Sequence, residues 1–165
     1  MRLKAAGILL AGLLLALQAV AGIAGATAPS ESGTMTVTFR IVPRIELDLS
    51  TDAINFGNLE PGTRDFENLL TTTVRSNTPW SLTASAPSFS DGGVPALTIP
   101  ITRLSTRPGA ADYMAMVNLP GQVTLLSGQP RGGNLEHVWD YRLAIEWTDV
   151  PATYTTTITY TATGS

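Results

Sequence analysis

Alternation of apolar and polar residues is the dominant pattern of the chain. Residues 34–41 read Thr-Met-Thr-Val-Thr-Phe-Arg-Ile, and a period of two predicts a half-buried β-strand. The inner face of that strand would carry Met35, Val37, Phe39 and Ile41. Residues 45–49 repeat the pattern, so the sequence predicts a second strand there, after a break at Pro43.

The middle of the chain continues in short alternating segments. Residues 54–63 predict a very short strand that runs into a Pro61-Gly62 turn. In residues 80–86 the alternation places Trp80 and Leu82 on the same inner face. Further strands are expected at 70–74, 97–101, 113–119 and 123–126.

The last two predicted strands have the clearest faces. In residues 138–147 the inner face would carry Trp139, Tyr141, Leu143, Ile145 and Trp147. The other face would expose Val138, Asp140, Arg142, Ala144 and Glu146 to solvent. In residues 154–162 the inner face would carry Tyr154, Ile158, Tyr160 and Ala162.

Together these segments predict an all-β fold. After the first residues, no segment shows the 3.6-residue apolar period of a helix, and residues 127–134 form a loop rich in turn residues. Eight to ten short strands separated by turns predict an antiparallel immunoglobulin-like β-sandwich, as a single domain over residues 34–165. Its core candidates are Trp80, Leu82, Trp139, Tyr141, Trp147, Tyr154 and Tyr160.

The N-terminal sequence predicts a cleaved signal peptide over residues 1–26. Arg2 and Lys4 precede an apolar run over residues 5–20, and the small residues Ala24-Gly25-Ala26 follow. The run is shorter than the roughly 20 residues of a membrane span. We therefore expect a secreted protein, extracellular or at the cell surface, that is not inserted in a membrane after cleavage, with a flexible segment at 27–33.

Composition narrows the possible partners and chemistry. Without Arg2 and Lys4 the chain keeps eight basic residues, all arginine, against thirteen acidic ones, a formal charge of −5. Scattered arginines with an acidic excess argue against a nucleic-acid groove. The absence of lysine beyond the signal excludes Schiff-base chemistry and Lys-Asn isopeptide crosslinks, and the absence of cysteine excludes disulfides.

The sequence predicts no catalytic, cofactor or metal site. His137 is the only histidine, and we expect it to be a solvated loop residue. No serine lies in a Gly-x-Ser-x-Gly turn, and zinc would lack its preferred ligands. A weak calcium site at residues 48–52, with Asp48, Asp52 and Asn55, stays open beside the simpler interpretation of these residues as turn formers. The expected protein is not an enzyme.

Three phrases resemble the WxL-type bacterial surface proteins: residues 54–62, residues 74–83 around Trp80-Ser81-Leu82, and the threonine-rich residues 151–160. The second Trp-x-Leu motif of that family would fall at Tyr160-Thr161-Ala162, where both key residues differ. The resemblance implies a β-sandwich that associates noncovalently with the cell wall. Residues 151–154 also resemble a tyrosine corner, which would give Tyr154 a structural role.

The sequence therefore predicts a noncatalytic structural or adhesive protein that contacts an envelope or extracellular component. One alternative is a pilus or fibre subunit that assembles by strand exchange, with residues 34–41 as the donor. A second alternative is a carbohydrate-binding module. The inward parity of the aromatic residues argues against it, because only Tyr113 would remain free to stack on a sugar.

Overall fold

The structure is a computed structural model that describes residues 31–165. The predicted signal peptide, residues 1–26, lies outside the described residues, as do the first residues of the predicted flexible segment. The chain divides after Arg40 into an N-terminal unit and a second unit that begins at Ile41. In the N-terminal unit, residues 31–40 are exposed and contain no regular secondary structure.

The second unit consists of ten strands and one 3-10 helix, Ile101–Arg103. The strands are β1 (Ile45–Leu49), β2 (Gly62–Ser76), β3 (Trp80–Ser85), β4 (Phe89–Ser90), β5 (Thr98–Ile99), β6 (Leu104–Pro108), β7 (Met114–Ala115), β8 (Val123–Gln129), β9 (Gly132–Ile145) and β10 (Thr159–Gly164). Residues 31–165 contain no α-helix.

The strands form two main sheets and one short ribbon. The larger sheet has the order β1-β2-β9-β6-β7, the smaller sheet has the order β10-β3-β8, and β4 pairs with β5. All pairings between these strands are antiparallel. The predicted all-β, antiparallel β-sandwich of eight to ten strands is therefore confirmed.

The core follows from the alternation of the central strands. In β2 the side chains of Leu70, Thr72 and Val74 are buried, whereas those of Thr71 and Thr73 are partly exposed. Trp80, Leu82 and Ala84 of β3 are buried in the same way. Leu104, Ile101 and Met116 complete this core with the inward residues of β9.

A bulge in β2 fixes how its first half pairs with β9. The register shifts between Phe66 and Leu70, where Asn68 has a positive φ of 55°. The backbone N–H of Asn68 donates to Oδ1 of Asp140 at 2.9 Å, and Nε of Arg107 donates to Oδ2 at 3.1 Å. Asp140 was expected on the solvent face, but it is 7% exposed because the bulge and Arg107 cover it.

The predicted strand at residues 34–41 is absent. Its apolar residues are highly exposed, with Met35 at 85% and Phe39 at 81% of their full surface. Alternation favours a strand only where a neighbour completes the hydrogen-bond ladder, and in the structure residues 31–44 pair with no strand. The β-sandwich therefore begins at β1 instead of residue 34.

Other boundaries also differ from the predictions. Residues 54–60 form a loop instead of a very short strand, and β10 starts only at Thr159 instead of residue 154. The predicted strand at 97–101 is reduced to the two residues of β5, and the one at 113–119 to the two residues of β7. β6, which the alternation did not predict, lies between β9 and β7 in the larger sheet.

Candidate functional site

Four of the predicted core residues are fully buried. Trp80, Leu82, Trp139 and Tyr141 each have 0% of their surface exposed. Nε1 of Trp80 donates to the carbonyl oxygen of Pro130 at 3.0 Å, and Nε1 of Trp139 donates to Oγ1 of Thr72 at 2.9 Å. Because both rings are buried and both indole N–H groups are hydrogen-bonded, these tryptophans stabilise the core and cannot contact a ligand.

Tyr154 and Tyr160 are half-buried. The hydroxyls of Tyr141 and Tyr160 share a short hydrogen bond between the two sheets. Burial raises the pKa of both phenols, so both are neutral across the physiological range. The hydroxyl of Tyr154 donates to the carbonyl oxygen of Val150 at 2.8 Å, the backward bond to a residue a few positions upstream that a tyrosine corner makes.

Trp147 does not lie in the core, contrary to the expectation from the alternation. It is 89% exposed. β9 ends at Ile145, and residues 146–149 form a turn in which the N–H of Asp149 donates to the carbonyl oxygen of Glu146 at 3.1 Å. Parity holds only while the strand continues, so the inward assignment fails two residues beyond its end.

Charged side chains brace this turn, which we call the Trp147 turn (residues 146–149). Nη1 of Arg103 donates to Oδ1 of Asp149 at 2.7 Å, and Nη2 of Arg103 lies 2.8 Å from a carboxylate oxygen of Glu146. Oδ2 of Asp149 also accepts the N–H of Glu146 at 2.7 Å. The 3-10 helix positions Arg103, whose side chain is only 19% exposed. The turn is therefore tied to the fold at both of its ends.

Hydrogen bonds within the turn favour the ionised form of the Asp149 carboxyl. Partial burial alone would raise the pKa of Asp149, but the hydrogen bonds from the Glu146 amide and from Arg103 outweigh it and lower that pKa below its usual value. Asp149 is therefore ionised at neutral pH, and its pairing with Arg103 persists there. The exposed indole is presented by an ordered turn and not by a free loop end.

His137 is not the loop residue that the sequence suggested. It lies in β9, opposite Thr72, and its ring meets that of Trp80 edge-on at 6.0 Å between centroids. The reason is that β9 begins at Gly132, so His137 already shares the inward parity of Trp139. Desolvation lowers its pKa, and the imidazole is neutral at neutral pH.

Tyr113, the aromatic residue expected to be free, lies in a charged cluster on the outer face of the larger sheet. The guanidinium carbons of Arg107 and Arg142 lie 4.4 and 4.0 Å from its ring centroid. Arg142 also forms a two-pronged ion pair with Asp65, and hydrogen bonding from Arg142 lowers the pKa of that carboxyl. These contacts occupy Tyr113 and are structural.

Within residues 31–165, no three His, Cys, Asp or Glu side chains cluster as metal ligands would. In the segment considered for calcium, Asp48 accepts from Nη1 of Arg75 at 3.1 Å, and Asp52 lies in an exposed bend. The same described range contains no helix of the length and hydropathy that crossing a bilayer requires.

No protein-family model matches the chain, and no curated protein matches it significantly. The candidate site is therefore defined by the structure alone, as the Trp147 turn. Sequence reasoning missed it, although residues 148–151, Thr-Asp-Val-Pro, carried a turn signal that could have ended the strand earlier.

Proposed function

We propose that this protein is a noncatalytic structural or adhesive domain of the cell surface, which contacts an envelope component noncovalently through the Trp147 turn. The observation that carries the proposal is the 89% exposure of Trp147 on a braced turn. The resemblance of residues 54–62 and 74–83 to WxL-type surface proteins and the signal-like N-terminus support the same compartment.

Exposing the indole of Trp147 to water costs free energy. A large apolar ring in water gains free energy when a partner covers it, and tryptophan is enriched among the residues that dominate binding energy. Because Arg103 and Asp149 already order the turn, a partner would meet little additional loss of conformational entropy. Val150, which follows the turn and is half exposed, adds apolar surface beside it.

Cysteine and histidine, which commonly act as nucleophile and base, are scarce in this chain, which supports a noncatalytic function. The chain has no cysteine and one histidine, and that histidine packs against the ring of Trp80. A nucleophile activated by His137 would have to reach an imidazole that faces the core. The tyrosine hydroxyls with raised pKa bond to each other between the sheets, so they are poor bases or nucleophiles.

A carbohydrate polymer is the second candidate ligand, and the position of Trp147 favours it. A flat indole face can stack on the apolar face of a sugar ring. The exposed side chains of Glu146 and Thr148 flank that ring in sequence and offer hydrogen-bonding groups for sugar hydroxyls. Aromatic residues that face the core cannot stack on a sugar, which excludes Trp80 and Trp139. Trp147 is exposed, so it is free to do so.

Fractionation of the producing cells tests the proposal. Washing intact cells with high salt or a chaotrope should release the protein without lysis, and the purified protein should sediment with isolated cell-wall material. Hydrolase assays on the glycans of that cell-wall material should show no turnover. Measurable turnover, or protein found only free in the medium with no sedimentation, would overturn the proposal. A purified soluble glycan that competes for sedimentation would identify the carbohydrate class of ligand.

A further inference from the structure

The exposed alternating segment at residues 34–42, which we call the arm, has the sequence of a strand but pairs with no strand within residues 31–165. Met35, Val37, Phe39 and Ile41 are between 71% and 85% exposed. The threonines at 34, 36 and 38 alternate with them. A strand-like segment can pair through its backbone with the edge of another sheet. Here that pairing would also bury four large apolar side chains that now lie in water.

One flank of the β-sandwich has inward-facing side chains that are incompletely covered. In β1, Leu47 lies opposite Val74, which is fully buried, yet Leu47 itself is only partly buried. Leu49 lies opposite the buried Thr72 and is 42% exposed. The inner face of β1 therefore lacks part of its cover.

β10 borders the same flank and shows the same deficit. Tyr160 lies opposite Ala84 and Ala162 opposite Leu82, and both β10 residues are half-buried whereas their partners are 0–1% exposed. β10 pairs only with β3, so its other edge is free in the described structure. Its outward face carries Thr159, Thr161 and Thr163.

The arm and the free edge of β10 complement each other. With its apolar residues turned inward, the arm would cover the exposed parts of Tyr160 and Ala162. Its threonines would then lie beside those of β10, and cross-strand threonine pairs are a favourable combination. The edge of β1 fits the arm less well, because the threonines of the arm would there lie beside Glu46 and Asp48, which are already paired with Arg75.

Hydrogen bonds to Asn77 hold the residues at the start of the second unit. The side-chain amide of Asn77 donates to the carbonyl oxygen of Val42 and accepts the N–H of Arg44, both at 2.8 Å. Asn77 thus holds residues 42–44 in line with β1, beside an open cleft of about 340 Å³ next to Gly164 and Ser165. Pro43 has a fixed φ and favours an extended conformation at Val42, which disfavours a tight reversal of the chain at this point.

We propose that the arm of one copy adds as a strand to the free edge of β10 in another copy of this chain. The apolar side chains of the arm then cover the incompletely buried inward residues of β10 and β1 in that neighbour. The contact is heterologous, because each copy offers an arm to one neighbour and an edge to the next. Repetition gives chains of copies. This inference does not depend on the ligand of the Trp147 turn.

The first test measures assembly in variants of the arm. The purified protein, processed as its producing cell leaves it, should form species larger than a monomer with rising concentration in sedimentation velocity and electron microscopy. Phe39→Asp should abolish them without shifting the melting temperature, since Phe39 is exposed in the monomer. The matched control Thr38→Asp, on the other face, should still assemble. A monomer at every concentration, or equal assembly by both variants, would overturn the proposal.

The second test uses the absence of native cysteine. A variant carrying Thr38→Cys is mixed under oxidising conditions with variants carrying Thr159→Cys, Thr161→Cys or Thr163→Cys. A disulfide-linked heterodimer should form with at least one of them, but not with Thr124→Cys in β8 at the opposite edge of that sheet. A double variant that carries Thr38→Cys and one of the β10 cysteines tests closure within one chain. If it crosslinks only within single chains and the mixed single variants give no heterodimer, the arm closes its own sheet and the proposal is wrong.

Discussion

At the scale of single residues, burial separates tryptophans that the sequence pattern treats alike. Trp80 has no exposed surface and its indole N–H is bonded to the carbonyl oxygen of Pro130. Trp147 has almost its whole ring in water, two residues past the end of β9. We therefore expect substitution of Trp80 to affect folding and substitution of Trp147 to affect recognition.

Trp80→Ala should destabilise the fold severely. Truncating a core tryptophan costs roughly 3–5 kcal/mol, a large part of the roughly 5–15 kcal/mol that stabilises a domain. The ring is fully buried and packs edge-on against His137, so its loss leaves a cavity in the core. Urea unfolding monitored by circular dichroism measures the change. A midpoint close to that of the unmodified protein would show that Trp80 is not a core residue.

Stability should fall on mild acidification because of His137. Its pKa is lowered from 6.5 in the folded state, so the unfolded chain binds the proton more readily. Stability due to the neutral imidazole is therefore fully present above pH 6.5 and decreases as pH falls below that value. Urea midpoints at about pH 8 and pH 5.5 measure the loss, and His137→Gln should reduce it. An equal acid loss in both proteins would assign the effect to other groups.

At the scale of secondary-structure elements, Asp140 links the β2 bulge to β6. One carboxylate oxygen accepts the N–H of Asn68, and the other accepts from Arg107. The Asp140 side chain that makes both contacts is only 10% exposed. The bulge therefore depends on a buried acceptor supplied by β9.

Asp140→Ala should destabilise the protein by roughly 1–3 kcal/mol, because it leaves a bulge N–H and the Arg107 guanidinium without their acceptor. The matched control is Asp65→Ala, which removes an exposed ion pair to Arg142 in the same sheet and should change the unfolding midpoint little. Thermal or urea unfolding of both variants measures the difference. Equal effects would contradict a special role for the bulge.

The elements show how far the sequence could predict the structure. β1 and β3 followed from alternation because one face of each strand is apolar and packs inward. β6 was not predicted, because one of its two inward residues, Thr106, is polar. Thr106 can be buried because its hydroxyl donates to the carbonyl oxygen of Asp140. A buried threonine satisfied by a distant strand leaves no signal in local periodicity.

The candidate site was not predictable from the alternation for a related reason. Trp147 continues the apolar parity of β9, but strand pairing stops where β2 begins, at the Gly62 and Ile145 pair. The bracing of the turn depends on Arg103, which is distant in sequence. The arm shows the opposite case, since residues 34–41 have ideal strand periodicity and lack a neighbour. Pairing partners are a property of the fold and not of the segment.

At the scale of the whole second unit, the entry to β1 and the Trp147 turn lie at opposite ends of the larger sheet. Ile45, where the chain enters β1, lies opposite Ser76 at the end of β2. Ile145, which precedes the Trp147 turn, lies opposite Gly62 at the start of β2. At about 3.3 Å per residue, a strand of this length spans roughly 45–50 Å. The Trp147 turn is therefore remote from the entry to β1, and we expect it to stay free to bind when copies pair.

Binding of the Trp147→Ala variant to isolated cell-wall material tests the proposed function most directly. Because the indole is exposed, the variant should keep the melting temperature of the unmodified protein and lose most of its sedimentation with the wall fraction. Val94→Ala, which shortens a fully exposed apolar side chain elsewhere, should keep both properties. Unchanged wall binding by Trp147→Ala, with an unchanged melting temperature, would contradict a role for the Trp147 turn in recognition.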